Sequence, residues 1–374
     1  MPIHPQEPLR QVINAWGTAT PYGVSRSASE VARAVAQVLD RFVSMQELQA
    51  HCALRIVRWS GAEAACVTHC TAAALTLAVA ACMAGGDARR IAQLPDAAGM
   101  PARVPLLAGH QVNYGQAITQ AVRLAGAQPV PCDGLDAVRG ALAAGGVACV
   151  LAVESHLAPG SGAAVTAELA ALARAAGVPL VLDAAAQDRR VRELVAGGAD
   201  LVLLSAQKYL AGPTAGLVLG GDAALVAAVD AQHTGIGRGM KPTKEALAGV
   251  MAALALREAE DTDAWRDAQQ AKVREVMESA TRWRGIAAHA EADPQGNGFA
   301  RIWLAVDPAR AGLDAAQLAA RLREGDPIVA VAPHRLAQGQ VGLELTGVAA
   351  AEVPPLCAAI AAALPTIADD AGNA

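Results

Sequence analysis

Three short apolar runs, each followed by a helical pattern, constrain the fold of this chain more than any other feature of its sequence. They are "VACVLAVES" (147–155), "VPLVLDAAAQ" (178–187) and "ADLVLLSAQK" (199–208). A strand with one side in solvent alternates apolar and polar residues, whereas these runs are continuous, which indicates burial on both sides. The sequence therefore predicts an α/β fold: a mostly parallel sheet sandwiched by helices.

Further strands are predicted around these runs: "AACVT" (64–68), "RVPLLAG" (103–109), "AQPVPC" (127–132) and "AGLVLGG" (215–221). Helices are predicted between the strands, among them "YGQAITQAVRLAG" (114–126) and "TAELAALARAAG" (166–177). Thr166, the first residue of the second of these helices, is a candidate N-cap. The alternation of strand and helix extends from about residue 60 to residue 220.

The pattern changes near residue 241. The segment 243–283 predicts one or two long helices, shorter strand and helix patterns follow, and "AEVPPLCAAIAAALPTIA" (351–368) predicts a last helix. We therefore expect two domains. Residues 1–240 would form an N-terminal segment and a large α/β domain, and residues 241–374 a long connecting helix and a small α+β domain.

Composition and charge exclude several classes of partner. The formal net charge is −5, so nothing favours binding to nucleic acid or to an anionic membrane. The N-terminal sequence has no signal-peptide pattern, and the apolar runs are too short to span a bilayer. Seven cysteines without CxxC spacing indicate a reduced, cytoplasmic protein without a zinc site. We expect a small-molecule substrate.

Lysine is scarce in this chain, and one lysine lies directly after a buried strand. Only four of the 30 basic residues are lysines, and one of them, Lys208, follows the apolar run "ADLVLL". The other basic residues are mostly arginine, so a primary amine at this position suggests a chemical role for it. Arginine cannot replace lysine where the amine must form an imine with a carbonyl compound.

Other polar residues also follow predicted strands, and open α/β sheets bind ligands at the carboxyl ends of their strands. These residues are Thr68, His69, Cys70, Thr71, His110, Asp183, Ser205, Gln207 and Lys208. Each of them alone is more often a turn, capping or packing residue. In this order and at these positions, they indicate a ligand site.

The set matches the needs of pyridoxal phosphate. This cofactor takes a lysine amine for its Schiff base, an acidic partner for its ring nitrogen and a helix N-terminus for its phosphate. Asp183 and Lys208 are 25 residues apart, about one strand-to-strand crossover, so both can reach the same crevice. The residues therefore predict a pyridoxal phosphate enzyme.

At these residues the chain resembles the fold-type I pyridoxal phosphate enzymes. Within them it resembles the selenocysteine synthase-like group, and most closely the D-glucosaminate-6-phosphate ammonia-lyase type. The resemblance covers roughly residues 12 to 250 and is carried by "INAWGTATPYGVSRSASEVARAV", "GAEAACVTHCTAAALTLAVAACMAG", "GVPLVLDAAAQ", "GADLVLLSAQKYLAGPTAGLVLG" and "IGRGMKPTKEALAG". It implies a transferase-like fold with a small C-terminal domain and a homodimer or larger homo-oligomer.

The resemblance also implies roles. Lys208 would form the Schiff base and Asp183 would pair with the ring nitrogen. His110 would lie near the cofactor ring. The cofactor would further be bound by Thr68, His69, Cys70, Thr71, Ser205 and Gln207.

The resemblance extends to a basic patch. Arg238, Lys241 and Lys244, with Arg26 as a further candidate, would bind an anionic group of the substrate or the cofactor phosphate of a neighbouring subunit. Where this family type often has an arginine after its last strand, the chain has "LELTGV". We therefore predict that Arg335, the only arginine after Arg323, binds a substrate carboxylate through paired hydrogen bonds.

The predicted activity is a lyase reaction. The enzyme would remove the α-proton of a β-hydroxy amino acid or amino-sugar acid, eliminate the β-hydroxyl, and release a keto acid and ammonia. Amino-acid racemisation or epimerisation is the alternative. Selenium transfer onto seryl-tRNA is disfavoured by the acidic charge, and a catalytically dead scaffold by the presence of both Lys208 and Asp183.

Overall fold

The structure is a computed structural model that describes residues 9–365. The chain divides into two compact units, one formed by residues 27–259 and the other by the segments on either side of them. Numbered in chain order, the strands are β1 (Val12–Ala15), β2 (Ala64–Thr68), β3 (Arg103–Leu107), β4 (Gln128–Cys132), β5 (Val150–Val153), β6 (Leu180–Asp183), β7 (Leu201–Ser205), β8 (Gly216–Gly220), β9 (Ile286–Ala292), β10 (Ala300–Val306), β11 (Ile328–Val331) and β12 (Gln340–Glu344).

Helices follow most of these strands, as expected for an α/β chain. They are α1 (Ser29–Leu39), α2 (Met45–Ser60), α3 (Thr71–Ala84), α4 (Ala88–Gln93), α5 (Ile118–Leu124), α6 (Leu135–Ala143), α7 (Ala163–Ala175), α8 (Val191–Ala196), α9 (Ala223–Ala231), α10 (Lys244–Ala259), α11 (Thr262–Ala280), α12 (Pro308–Ala311), α13 (Ala315–Glu324) and α14 (Val353–Ala363). The predicted last helix thus ends at Ala363, and residues 366–368 of that prediction lie outside the described residues.

The larger unit is built on a seven-stranded sheet with the order β2-β8-β7-β6-β5-β3-β4. Neighbouring strands are parallel except where β8 runs antiparallel to β2 and to β7. Every residue of β5, β6 and β7 is buried. This is the mostly parallel, doubly covered sheet that the continuous apolar runs predict.

Two apolar cores lie on the two faces of this sheet. Along β6 and β7, alternate residues point to opposite faces, and successive residues such as Leu180 and Val181 belong to different cores. Because β5, β6 and β7 are buried along their whole length, their polar side chains, Asp183 and Ser205, lie at the strand ends. The fold therefore concentrates chemistry at one edge of the sheet.

Two predicted helices begin elsewhere than expected. Helix α5 begins at Ile118, so residues 114–117 form a loop in which Gly115 has a φ of +100°. Helix α7 begins at Ala163 with Gly162 as N-cap, so Thr166 lies inside the helix. The Thr166 hydroxyl donates a hydrogen bond of 3.3 Å to the buried Glu154 carboxylate instead of capping the helix. The Thr166 hydroxyl is therefore engaged by the Glu154 carboxylate, and the prediction that Thr166 caps the helix is wrong.

The smaller unit has a three-stranded antiparallel sheet in the order β12-β10-β9 and a parallel pair, β1 with β11. Helices α11, α13 and α14 pack on these strands around a single apolar core. The predicted division at residue 240 differs from the observed one. Strand β1 pairs in register with β11, more than 300 residues away in sequence, and α10 packs on α1 and α2 of the larger unit. The segment 243–283, predicted as one or two long helices, forms two, separated at Asp261, the N-cap of α11.

Candidate active site

The carboxyl ends of β6 and β7 place a carboxylate and an amine at the same edge of the sheet. Asp183 is the last residue of β6, and Lys208 comes three residues after the end of β7. The Asp183 carboxylate is buried and accepts a 3.1 Å hydrogen bond from the Ala185 N–H. Burial raises the pKa of Asp183, and the Lys208 charge and the Ala185 N–H act in the opposite direction. The two predicted key residues therefore lie close enough to interact.

A tight loop holds the Lys208 backbone. The Ala211 N–H donates to the Lys208 carbonyl at 3.0 Å, and the Gly212 N–H donates to the Ala206 carbonyl at 2.8 Å. Ala211 has a φ of +55°, a conformation that is uncommon for residues other than glycine. Gln207 accepts a 2.7 Å hydrogen bond from the Thr214 hydroxyl. Of the predicted cofactor contacts in this segment, Gln207 braces the loop and Ser205 is the buried end of β7.

One guanidinium connects the segment that follows β6 to the segment that follows β7. Arg257, near the end of α10, pairs with the buried Asp188, and it donates a 2.6 Å hydrogen bond to the carbonyl of Tyr209, the neighbour of Lys208. Asp188 follows Asp183 by five residues. A planar guanidinium can hold both partners at once. Sequence reasoning missed Arg257 because it lies far from Asp183 and Lys208 in the sequence, in a segment whose pattern indicates only a helix.

The N-terminus of α3 lies beside the segment of β7 that leads to Lys208. Cys70 is the N-cap and makes no side-chain capping hydrogen bond. The Thr68 hydroxyl donates to the Cys70 carbonyl at 2.9 Å, and the Thr71 hydroxyl donates to the Leu204 carbonyl of β7 at 3.3 Å. Unpaired N–H groups in the first turn, together with the helix dipole, favour an anion such as a phosphate. Three of the four predicted cradle residues therefore form one structure, anchored to the strand that leads to Lys208.

A glycine makes room for this helix start. A Cβ at Gly216 would lie 2.4 Å from the Cys70 carbonyl oxygen and 2.5 Å from the Thr68 hydroxyl. Neither atom can move without shifting the helix N-terminus. Gly216 therefore allows β8 to pass directly beneath the predicted phosphate cradle.

We expect Gly216→Ala to lower the free energy of unfolding by about 1–3 kcal/mol, the usual cost of overpacking, and to weaken cofactor binding. Urea denaturation and equilibrium titration of the apoprotein with the cofactor measure the two effects. Gly221→Ala is the matched control, since a Cβ there has no atom within 4 Å. Equal behaviour of the two variants would contradict this reading of Gly216.

His110 is fully buried beside the same strand ends. Its Nδ1 accepts a 3.1 Å hydrogen bond from the Val153 N–H at the end of β5. Burial lowers the pKa of His110, so the ring is neutral and carries its proton on Nε2. Among the described residues Nε2 has no hydrogen-bond partner, which is costly for a buried donor. The orphaned N–H is an observation that a bound ligand would explain.

Tyr114 is part of the site although sequence reasoning missed it. Its ring lies 5.1 Å from the Lys208 Nζ. The sequence pattern places residues 114–126 in one helix, with Tyr114 in its first turn. A tyrosine at such a position suggests only packing, so the pattern gives Tyr114 no role in a site. The one available signal is the glycine that follows it, which allows a turn at this point.

The predicted basic patch is only partly assembled. The His69 N–H donates to the Met240 carbonyl at 2.7 Å, which brings the segment with the exposed residues Arg238 and Lys241 to the start of α3. Lys244 has a structural partner instead. Its Nζ donates hydrogen bonds of 2.9 and 2.7 Å to carbonyls at the end of α1, where a cation stabilises the helix dipole.

The two other predicted substrate arginines lie in the smaller unit and are engaged there. Arg26 forms two hydrogen bonds of 2.9 and 2.8 Å with the Glu352 carboxylate. Arg335 forms two of 2.8 Å with Glu291 and lies over the Trp303 ring at 3.9 Å. Arg335 holds the pKa of Glu291 at about 2. A protein carboxylate thus occupies the paired geometry that was predicted for a substrate carboxylate at Arg335, and another engages Arg26, the further candidate for the basic patch.

Solved structures identify the fold. The chain superposes on an aspartate aminotransferase of Thermus thermophilus with a TM-score of 0.59 and 16% identity, covering 94% of this chain and 98% of that one. A serine palmitoyltransferase of Sphingomonas wittichii gives the same TM-score and identity over 94% and 88%. The chain therefore has an aminotransferase-like fold, and the fold class predicted from the sequence is confirmed.

The family is shown by similarity over the full length. The chain is 35% identical to D-glucosaminate-6-phosphate ammonia lyase of Salmonella typhimurium (strain 14028s / SGSC 2262), over 99% of each protein. A solved structure of a D-glucosaminate-6-phosphate ammonia-lyase matches with a TM-score of 0.84 and 34% identity, covering 95% of this chain and 96% of that one. The chain belongs to the D-glucosaminate-6-phosphate ammonia-lyase family and is a lyase, as predicted.

A second relative points to different chemistry. The chain is 33% identical to a 5'-C-glycyluridine monooxygenase-decarboxylase of a Streptomyces species, over 89% of this chain and 84% of the relative. No protein-family model matches the chain. Within residues 9–365, no helix is long and apolar enough to cross a membrane. In the same range, no group of three histidine, cysteine or acidic side chains could hold a metal ion.

The residues present fit the cofactor. The orphaned His110 Nε2, the helix start without a side-chain cap at Cys70 and the desolvated Asp183 carboxylate are three separate features that a ring, a phosphate and a ring nitrogen would satisfy. All three features lie at the edge of the sheet that carries Lys208.

Proposed function

We propose that this enzyme acts on a phosphorylated 2-amino sugar acid, or a related β-hydroxy amino acid, and releases a keto acid and ammonia. The observation that carries the proposal is the interaction of Lys208 with a desolvated carboxylate, Asp183, in a chain related over its full length to an ammonia lyase. The substrate class is taken from the name of that relative. The exposed Arg238 and Lys241, near the start of α3, would bind the phosphate of such a substrate.

Each residue has a proposed task. Lys208 would hold the cofactor covalently in the resting enzyme, and its free amine would remove the proton from the substrate α-carbon. Pyridoxal phosphate, when bound, supplies an electron sink that stabilises the resulting charge. Asp183 keeps the ring nitrogen protonated, the α3 N-terminus holds the phosphate, and His110 donates from Nε2 or packs against the ring.

The test is a product assay with the cofactor-loaded enzyme. D-glucosaminate 6-phosphate, its unphosphorylated form, and D- and L-serine and threonine are supplied in turn, while ammonia, keto acid and dissolved oxygen are followed. We expect equal amounts of ammonia and keto acid, fastest with the phosphorylated sugar acid, and no oxygen uptake.

Other outcomes would identify other activities. Oxygen uptake with release of carbon dioxide would overturn the proposal in favour of monooxygenase-decarboxylase chemistry, which the second relative makes the specific alternative. Inversion at the α-carbon without ammonia would show a racemase. Lys208→Ala is the negative control, because any product that survives this substitution does not come from the proposed site.

We also propose that the enzyme is cytoplasmic and at least a homodimer. The loop between α1 and α2 exposes Leu39 and the whole of the Phe42 side chain, which is the kind of apolar surface that a second copy would cover. Light scattering of the purified protein measures the mass in solution. A fully active monomer would overturn this proposal.

A further inference from the structure

Tyr114 lies at the tip of a small, well-defined loop. Asn113 and Ala117 form an antiparallel bridge, and the Asn113 side-chain oxygen accepts a 2.9 Å hydrogen bond from the Gly115 N–H. The loop follows directly on His110, which is fully buried. Because one end of the loop is fixed by a buried residue and the tip is closed by hydrogen bonds, the Tyr114 side chain has a defined place above the strand ends.

The Tyr114 ring lies among the reactive groups of the site. The Lys208 Nζ lies 5.1 Å from the ring centroid. Burial raises the pKa of Tyr114, and the Asp183 charge raises it further. The phenol therefore keeps its proton at physiological pH until a strong base forms beside it.

The proposed reaction has a proton requirement that the residues assigned above do not meet. Hydroxide is a poor leaving group, so the β-hydroxyl must receive a proton as its bond to carbon breaks. Lys208 is occupied by the α-proton at this stage. His110 is neutral, and its Nδ1 already accepts from Val153, so it has no acidic proton to give. Tyr114 carries a phenolic proton, and its ring is in contact with Lys208.

We propose that Tyr114 is the general acid that protonates the departing β-hydroxyl. This inference rests on the proposed function. The Lys208 amine takes the α-proton, the carbon–oxygen bond breaks with its electron pair on oxygen, and the phenolic proton joins that oxygen to form water. A carbon–carbon double bond forms, and the Lys208 ammonium returns a proton to the phenolate. The step is balanced and needs no oxidant or reductant.

The test is Tyr114→Phe, which keeps the ring against Lys208 and removes only the hydroxyl. We expect keto acid formation from hydroxy substrates to fall by about 10²–10⁴-fold, the usual contribution of a general acid. Exchange of the α-hydrogen with deuterated water, which depends on Lys208, should stay within a few-fold of the parent enzyme. Titration of the apoprotein with the cofactor should show unchanged loading.

A change of leaving group separates acid catalysis from a structural role. Chloride leaves without a proton, so β-chloroalanine should be eliminated equally well by Tyr114→Phe and the parent enzyme. Equal losses with hydroxyl and chloride substrates, or undiminished elimination of water, would overturn the assignment of Tyr114. If instead the parent enzyme exchanges the α-hydrogen but forms no keto acid from either kind of substrate, the proposed function itself fails.

Discussion

Replacing Lys208 by alanine should abolish the visible absorption of the purified enzyme and lower keto acid formation by about 10⁴-fold, the upper range for one general base. Two functions are lost together, because the same amine bonds the cofactor and removes the α-proton. Exchange of the α-hydrogen with deuterated water should disappear as well. Absorption spectra, the product assay and mass spectrometry of recovered substrate measure the three effects.

Lys244→Ala is the matched control for the loss of an amine. Lys244 donates to carbonyls at the end of α1 and takes no part in the site, so its loss should leave the visible band in place. A Lys208→Ala enzyme that keeps its band and its exchange activity would assign the chemistry to another amine. Addition of a free primary amine should partly restore exchange in Lys208→Ala, which a misfolded variant would not allow.

The second large effect is expected for Asp183→Asn. The substitution keeps the shape of the side chain and its hydrogen bond from the Ala185 N–H, but it removes the negative charge. Without that charge the cofactor ring loses the group that keeps its nitrogen protonated. We expect α-hydrogen exchange and keto acid formation to fall together by about 10²–10³-fold, the usual cost of losing one preorganised electrostatic contact.

Asp200→Asn is the control for this substitution. Asp200, the residue before β7, accepts a 2.7 Å hydrogen bond from the Leu180 N–H at the opposite end of β6, so it contacts the same strand away from the site. It should keep normal activity. The visible band should persist in both variants, because Lys208 is intact in both. An Asp183→Asn enzyme with parental exchange rates would remove Asp183 from the mechanism.

The sheet and the centre of the site could be predicted from the sequence because their signals are local. Continuous apolar runs reveal strands that are buried on both faces, and a polar residue that ends such a run lies at the sheet edge. Asp183, Lys208 and the start of α3 are found in this way. The lysine after "ADLVLL" adds a chemical argument, since no other side chain provides a primary amine.

The remaining features depend on contacts between distant segments. The pairing of β1 with β11 decides the division of the chain, and the pairs Arg26–Glu352 and Arg335–Glu291 decide which arginines are already engaged. Charge alone cannot distinguish an arginine held by a protein carboxylate from one that awaits a substrate. Tyr114 was hidden for a different reason, because a helical pattern overrode the turn that Gly115 allows.

The most direct test of the central claim is to locate the covalent bond between the cofactor and the protein. The cofactor-loaded enzyme is reduced with borohydride, digested and analysed by mass spectrometry. The account predicts that the cofactor is found on the peptide that contains Lys208 and on no other peptide. A labelled peptide containing Lys241, Lys244 or Lys272, with Lys208 unlabelled, would contradict it.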